Sequence, residues 1–149
     1  MMLSWLFSVP LLVGSIAPDF TLTDDAGQRV SLASLRGKNV LLVFYPRDNT
    51  PGCTMQLCQL RDHWDRLQSK DVLVFGVNPQ GAQSHADFRR KQKLPFPLLV
   101  DKGQKVAGQY HASGLVLKRT VYLIGKDGKI RFAQRGTPTP EQILASLNL

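Results

Sequence analysis

Two continuous apolar segments of strand length constrain the fold most strongly. Residues 39–45 read NVLLVFY and residues 71–77 read DVLVFGV. An apolar run of this length without alternation is typical of a strand that is buried on both faces of a sheet. The two segments therefore predict central strands that are covered on both sides.

Shorter elements surround these strands. Alternating patterns over residues 20–23 and 29–32, joined by a turn at 24–27, predict a β-hairpin near the N-terminus. The other expected strands cover residues 96–100, 118–125 and 129–134, and the last two form a pair. A helical turn is expected at 31–35, ending at Gly37, and an amphipathic helix has its apolar positions at Leu57, Leu60, Trp64 and Leu67. Two further helices are expected over 82–92, with Phe88 facing inward, and over 140–147, with Thr139 as N-cap. Strands that alternate with helices and end in a hairpin predict an α/β fold around a mixed sheet.

Composition favours one domain over the whole chain, residues 1–149. Hydrophobic residues make up 43% and charged residues 20%, which excludes a disordered or fibrous chain. The net charge is +8, but no basic block or aromatic–basic stripe concentrates it, so we expect no nucleic-acid partner. The densest basic cluster, residues 89–93, is expected to be the solvated end of a helix, where it can steer acidic partners or dock a reductant.

The first thirteen residues, MMLSWLFSVPLLV, form an apolar extension without Lys or Arg. They are too few to span a bilayer, which needs about 20 apolar residues, and they lack the basic or small-residue signals of a secretory or transit peptide. We therefore expect no transmembrane segment and a cytoplasmic location. The extension is expected to pack on the domain; the alternatives are contact with a membrane surface through Trp5 and Phe7, or contact with a second copy.

Cys53 and Cys58 are the two cysteines of the chain. A structural disulfide between them would close a very short loop and remove little entropy from the unfolded chain. A role of the two thiols in a chemical reaction is therefore a better explanation for the pair than stabilisation of the fold. Cys53 follows a strand-to-helix loop in which Thr50 and Pro51 begin the turn. A thiol at a helix N-terminus faces unpaired N–H groups and the positive end of the helix dipole, and both favour the thiolate.

The spacing of the two cysteines implies a conformational step. Five residues of helix place their Cα atoms roughly 8.6 Å apart, whereas a disulfide needs a separation below about 7 Å. Both thiols therefore fit an intact helix, but a bond between them requires the first turn or two to unwind. If Cys58 is the second thiol of the reaction, it resolves an oxidised Cys53.

The segment around these cysteines, residues 44–58, reads FYPRDNTPGCTMQLC. Its Pro46-x-x-x-Thr50-x-x-Cys53 spacing resembles the peroxiredoxin active-site motif. The placement of Cys58 five residues after Cys53 is similar to that in the Q-type (bacterioferritin comigratory protein) subfamily. The resemblance extends from APDF at 17–20 to the last helix, and it includes RD at 61–62 and KRTVYLI at 118–124. It implies a thioredoxin-like fold, with a mixed central sheet, flanking helices and an N-terminal β-hairpin, and peroxide reduction without metal, haem or flavin.

The resemblance also implies a role for each matching residue. Cys53 would be the peroxidatic nucleophile, Thr50 would hydrogen-bond the thiolate and the peroxide, and Pro46 would shield the site from water. Arg119 would hold the thiolate and the developing charge on a peroxide oxygen with its fixed fork of donors. The alternative for Arg119 is a surface cation beside Lys118.

Two positions depart from the family pattern. Gln56 stands where the family often has Glu, so its support of Arg119 is expected to be weaker and uncharged. Gly125 stands where the family usually has Asp, which affects only the local turn. The scattered histidines have no metal-site spacing, and we expect surface or capping roles for His63, His85 and His111.

The resemblance predicts a thioredoxin-dependent thiol peroxidase of the atypical two-cysteine kind, acting on hydrogen peroxide and organic hydroperoxides in antioxidant defence. The Cys53 thiolate attacks the O–O bond and becomes a sulfenic acid. Cys58 condenses with it, and thioredoxin or a similar dithiol protein reduces the resulting disulfide. We expect no cofactor and a monomer, with a weak dimer as the alternative.

Two other classes of function stay open at this point. A copper-carrying chaperone with a thioredoxin fold would bind Cu(I) through Cys53, Cys58 and a histidine. It predicts stoichiometric copper binding without peroxide turnover, and the set of Pro46, Thr50 and Arg119 argues against it. A general disulfide oxidoreductase should reduce insulin-like substrates and be indifferent to the loss of Thr50.

Overall fold

The computed structural model describes residues 9–148, which contain seven strands and five α-helices. The strands are β1 Thr21–Asp24, β2 Arg29–Ser31, β3 Asn39–Phe44, β4 Val72–Asn78, β5 Leu98–Val100, β6 Thr120–Ile124 and β7 Ile130–Arg135. The helices are α1 Pro51–Asp62, α2 Trp64–Ser69, α3 Ala82–Gln92, α4 Lys105–Gln109 and α5 Pro140–Ala145, with short 3-10 helices at Leu32–Leu35, Lys102–Gln104 and Ser146–Asn148.

The strands form one mixed sheet in the order β2-β1-β5-β4-β3-β6-β7. The pairings β3–β4 and β4–β5 are parallel, and the other four are antiparallel. Every residue of β3 is buried, because helices cover both faces of the sheet at its centre. The predicted α/β fold with a mixed sheet and an N-terminal β-hairpin is confirmed.

A separate apolar core lies on each face of the sheet. Phe44 belongs to the core that contains Tyr110 and Tyr122, whereas the next residue, Tyr45, belongs to the core under α1, α2, α3 and α5. Successive residues of a strand point to opposite faces, so the end of β3 contributes to both cores. Cys53 lies in the second core and is 1% exposed.

The expectation of one continuous helix from the cysteine segment to Leu67 is wrong. The helix is interrupted at His63, whose backbone angles of φ −108° and ψ 21° are not helical, and this break separates α1 from α2. Side-chain contacts fix the break: the ring Nδ1 of His63 lies 2.9 Å from the carbonyl oxygen of Gln59, and its Nε2 lies 3.2 Å from Glu141 of α5. The buried stripe survives the break, since Leu57, Leu60 and Leu67 all lie in the core.

Helix α4 has no counterpart among the sequence-based expectations. It follows Gln104, which adopts a left-handed conformation with φ 57°, and it is five residues long. The Asp101 carboxylate accepts hydrogen bonds from the backbone N–H groups of Val106 and Ala107 at 2.9 and 2.8 Å. A buried side chain from the preceding loop, rather than an apolar period, therefore fixes the start of this helix.

The last helix begins where the sequence predicts it. The Thr139 hydroxyl accepts from the backbone N–H of Gln142 at 3.1 Å, and the Gln142 side chain accepts from the backbone N–H of Thr139 at 2.8 Å. This reciprocal pair confirms Thr139 as the N-cap. The α-helical part ends at Ala145, and a 3-10 turn completes the segment.

Within the described part of the N-terminal extension, Leu11 packs against the core, whereas Val9, Leu12 and Val13 are exposed. The backbone N–H of Leu11 donates to the Tyr122 hydroxyl at 2.9 Å, and the N–H of Gly14 donates to the carbonyl of Ile130 at 2.7 Å. Trp5 and Phe7, for which membrane contact is the alternative, lie outside the described residues. Between residues 9 and 148, no helix combines the length and the apolar character needed to cross a bilayer.

Candidate active site

Cys53 lies where the central strand β3 passes into α1. After β3 the chain makes a short loop, Pro51 occupies the first turn of the helix, and Thr50 is the N-cap with extended angles of φ −94° and ψ 150°. Proline suits this position because its missing N–H would have no helical partner there. Cys53 is therefore the third residue of the helix, as the sequence predicts.

The guanidinium of Arg119 contacts the Cys53 thiol. Its Nη2 lies 3.1 Å from Cys53 Sγ, and its Nη1 donates to Oε1 of Gln56 at 2.6 Å. Arg119 stands just before β6, and antiparallel pairing puts the start of β6 beside the end of β3, with Thr120 opposite Phe44. Sheet register thus brings together two residues that are 66 positions apart in the sequence.

Gln56 fixes the other side of the guanidinium. Its side chain is 3% exposed, and its Nε2 donates to the carbonyl of Gly136 at 3.4 Å. The N–H of Gly136 in turn donates to the carbonyl of Arg119 at 2.9 Å, which ties the backbone into the same arrangement. Because Gln56 is neutral, it orients the guanidinium without offsetting its positive charge, which stays available to a thiolate.

Thr50 and Pro46 line the loop between β3 and α1, and both are half-buried. The Thr50 hydroxyl donates to the carbonyl of Arg47 at 3.0 Å. A hydroxyl that donates to a carbonyl keeps its oxygen lone pairs for a second partner. Its expected hydrogen bond to the thiolate and to a peroxide, and the shielding by Pro46, stay predictions.

Cys58 lies further along the same helix and is half-buried. Its Sγ is 3.7 Å from Oε1 of Gln92, the last residue of α3, and Nη1 of Arg61 donates to the carbonyl of Gln92 at 2.6 Å. Both cysteines are free thiols on one continuous helix. The distance that the sequence predicts between them therefore applies to this conformation.

The surface or capping role expected for His85 is wrong, because its side chain is fully buried. It contacts Asp48 of the active-site loop, and neither residue was a candidate from sequence reasoning. A signal for the burial exists: His85 precedes the inward-facing Phe88 by three residues, which places both on one face of α3.

The other histidines fit the expectation better. His63 ends α1, and Nδ1 of His111 lies 3.2 Å from the carbonyl of Val9. Across residues 9–148, no three His, Cys, Asp or Glu side chains come together as a metal site would require. The copper-binding alternative needs a histidine beside Cys53 and Cys58, and the described part of the chain places none there.

Comparison with known proteins adds to the geometry. The model of the AhpC/TSA family matches residues 13–133. Peroxiredoxin Q, chloroplastic, of Oryza sativa subsp. japonica is 38% identical over 133 residues, which cover 87% of this chain but 61% of that protein. Peroxiredoxin Bcp of Bacillus subtilis is 36% identical over 127 residues, which cover 79% of this chain and 81% of that protein.

Solved structures agree with these matches. The crystal structure of peroxidoxin BcpB from Mycobacterium tuberculosis has a TM-score of 0.85 and 28% sequence identity, and the match covers 91% of this chain and 96% of that chain. The similarity confirms the expected thioredoxin-like fold. The chain spans about three fifths of the length of the rice protein and most of the length of the two bacterial proteins.

Proposed function

Because the chain belongs to the AhpC/TSA family as a peroxiredoxin of the Q type, we propose that it is a thiol-dependent peroxidase. The observation that carries this proposal is the 3.1 Å contact between Nη2 of Arg119 and Sγ of Cys53. A buried cysteine that served only packing would not need a cation aimed at its sulfur. The proposed substrates are hydrogen peroxide and organic hydroperoxides.

The first step is attack by the Cys53 thiolate on one peroxide oxygen. The S–O bond forms as the O–O bond breaks, the sulfur becomes a sulfenic acid, and the other oxygen leaves as water or an alcohol after taking a proton. Negative charge moves from the sulfur to the leaving oxygen during this step. The fork of Arg119 can follow that charge because its plane is held by Gln56.

The second step joins Cys58 to the oxidised Cys53. The Cys58 thiol condenses with the sulfenic acid, so that an S–S bond forms and water leaves. Both residues lie on α1, where five residues of helix hold them too far apart for a disulfide. The first turns of α1 must therefore unwind, and the 3.7 Å contact between Cys58 and Gln92 must break.

The third step returns the enzyme to its dithiol form. One thiolate of a dithiol protein such as thioredoxin attacks the Cys53–Cys58 disulfide and forms a mixed disulfide with one of the two cysteines, while the other is released as a thiol. The second thiol of the reductant then attacks the mixed disulfide, so that the reductant leaves with an internal disulfide and both cysteines are thiols again. The proposed site residues for the whole cycle are Cys53, Cys58, Thr50, Pro46 and Arg119. We also propose a reducing, cytoplasmic setting, since both cysteines must return to free thiols, and a monomer as the working form.

The proposal is tested by thioredoxin-coupled peroxide consumption, with the wild type and the Cys58→Ser variant side by side. The wild type should consume peroxide continuously. The variant should form one sulfenic acid per chain and then stop, because no second thiol resolves it. Absence of peroxide reduction by the wild type would reject the peroxidase function, and sustained cycling by the variant would show that Cys58 is not required for resolution.

Oxidation should also loosen α1. We expect faster amide hydrogen exchange over residues 52–60 in the disulfide form than in the dithiol form, because these residues lose their helical hydrogen bonds. Helix α3 is the internal control and should keep its protection. Unchanged exchange over 52–60 would mean that the disulfide forms without unwinding of the helix.

A further inference from the structure

A buried carboxylate, that of Asp48, lies within the loop that leads to Cys53. Its Oδ1 accepts from the Tyr45 hydroxyl at 2.6 Å and from Nδ2 of Asn78 at 3.0 Å. Its Oδ2 accepts from the Ser84 hydroxyl at 2.8 Å and lies 2.6 Å from Nδ1 of His85. Four donors on two oxygens leave this carboxylate fully satisfied, although its side chain is 0% exposed.

The second ring nitrogen of His85 decides the charge of the pair. Nε2 lies 2.9 Å from the carbonyl oxygen of Leu99, which can only accept, so Nε2 carries a proton. Burial raises the pKa of Asp48, but hydrogen bonds from His85 and Tyr45 outweigh it and the net pKa lies below the usual value. Nε2 of His85 thus faces a carbonyl oxygen, and Nδ1 faces a carboxylate oxygen that also accepts from Ser84, so both ring nitrogens face acceptors. These contacts describe an imidazolium paired with a carboxylate.

We propose that the Asp48–His85 ion pair positions the active-site loop, so that Asp48 and His85 are positioning residues for the reaction of Cys53 with peroxide. The inference rests on the proposed peroxidase function and names residues that act through the loop rather than on the substrate. Neither residue has a polar contact with the Cys53 sulfur among the described hydrogen bonds.

Because Asp48 and Cys53 lie close together in the chain, fixing Asp48 also restricts where the Cys53 thiol can lie. The backbone N–H of Asp48 donates to Oε1 of Gln80 at 2.6 Å, so both the main chain and the side chain are fixed to the segment after β4. The next residue, Asn49, is held in a left-handed conformation with φ 61°. A non-glycine residue keeps such a conformation where its neighbours impose it. Thr50 then begins the helix that carries Cys53, and its own side chain makes no capping hydrogen bond.

Tyr45 provides a second path from the ion pair to the thiol. Its hydroxyl donates to Asp48, while its ring lies in the same apolar core as Cys53. The ring packs closely over Gly76 of β4, where an added Cβ would lie 2.9 Å from Cε1 of Tyr45. Burial and the nearby Asp48 charge raise the pKa of Tyr45 well above its usual value, so the phenol stays a donor.

Charge balance explains why a histidine suits this place. The titratable groups on the Asp48 carboxylate are His85 and Tyr45, and Tyr45 stays neutral. Without the imidazolium, the buried carboxylate of Asp48 would be an unbalanced negative charge. Only the side chain of Tyr45 would link it to the apolar core that contains Cys53. With it, the loop is fixed by charge-assisted hydrogen bonds and the pair has no net charge.

The test uses Asp48→Asn, which keeps the shape of the side chain and removes its charge. The matched control is Asp87→Asn, which removes a half-exposed carboxylate from α3, the helix that carries His85. Three quantities are measured in a Cys58→Ser background: the ¹⁵N spectrum of His85, the rate constant of Cys53 with hydrogen peroxide, and its rate constant with iodoacetamide. Ser84→Ala, which removes one donor from Oδ2, is a milder second variant in case Asp48→Asn folds poorly.

We expect both ring nitrogens of His85 to carry protons in the wild type, and Nδ1 to lose its proton in Asp48→Asn, where the new amide donates to it. The peroxide rate constant should fall about tenfold or more in Asp48→Asn, and by less in Ser84→Ala, because small displacements of reacting groups are costly. The iodoacetamide rate constant should change much less, since alkylation does not need Thr50 and Arg119 in place around a peroxide.

Three results would overturn the inference. The first is a neutral His85 in the wild type, and the second is a wild-type peroxide rate constant in both Asp48→Asn and Ser84→Ala. The third is an equal fall in Asp87→Asn, which would point to a general charge effect. A wild-type protein that fails to react with peroxide would instead reject the proposed function, a result distinct from any of these.

Discussion

Replacement of Cys53 by serine is expected to abolish peroxide reduction, with a loss of at least about 10³-fold in kcat/KM. A serine hydroxyl is not ionised near neutral pH, and Arg119 alone cannot make it a nucleophile comparable to a thiolate. Peroxide consumption coupled to thioredoxin measures the loss directly.

Cys58→Ser is the matched control for this variant, because it removes the other thiol of the same helix by the same change. It should keep the first reaction with peroxide, which Cys53→Ser should lack. Formation of a sulfenic acid on Cys58 in the Cys53→Ser variant, at a rate near that of the wild type, would reverse the roles assigned to the two residues.

Arg119→Gln should lower kcat/KM for peroxide by about 10²–10³-fold, the usual cost of losing one preorganised donor at a developing charge. The variant loses the contact with Cys53 and the positive charge beside it. Arg119→Lys should recover part of the activity, because it restores the charge but not the fork that also binds Gln56. Stopped-flow reaction of the thiol with peroxide measures the effect at the step concerned.

Lys118→Gln is the control for charge alone. Lys118 is the exposed neighbour of Arg119, so this change removes one positive charge at nearly the same place without touching the sulfur. We expect near wild-type kinetics for it. Similar losses in Lys118→Gln and Arg119→Gln would mean that Arg119 acts through the general field of the surface and not through its contact with Cys53.

Long apolar or periodic segments could be predicted from the sequence because their signals are local. The two central strands, the hairpin, helix α3 and the N-cap Thr139 are all present in the structure near their predicted positions. The position of Cys53 at a helix start is local in the same sense. The proximity of Cys53 to Arg119 has no local signal. The sequence could suggest this proximity only through the resemblance to a family.

The elements that sequence reasoning missed depend on particular side-chain contacts rather than on a periodic pattern. Helix α4 is capped by the Asp101 side chain, and the break at His63 depends on Glu141, 78 positions along the chain. A surface or capping role is expected for His85 from the sequence because an isolated histidine without metal-site spacing is more often such a residue than a ligand. Its partner Asp48 lies 37 positions away, in a loop without a periodic pattern.

The break at His63 also determines how far a disturbance of α1 can spread. Helical order is cooperative, so a single helix from Pro51 to Ser69 would tend to melt as one unit once its first turns were lost. The break divides this length in two, and Arg61, anchored on the carbonyl of Gln92, lies just before it. Unfolding that begins at Pro51 is therefore expected to stop before Trp64, and we expect Leu67, which lies in the core, to keep its place when the first turns of α1 unwind.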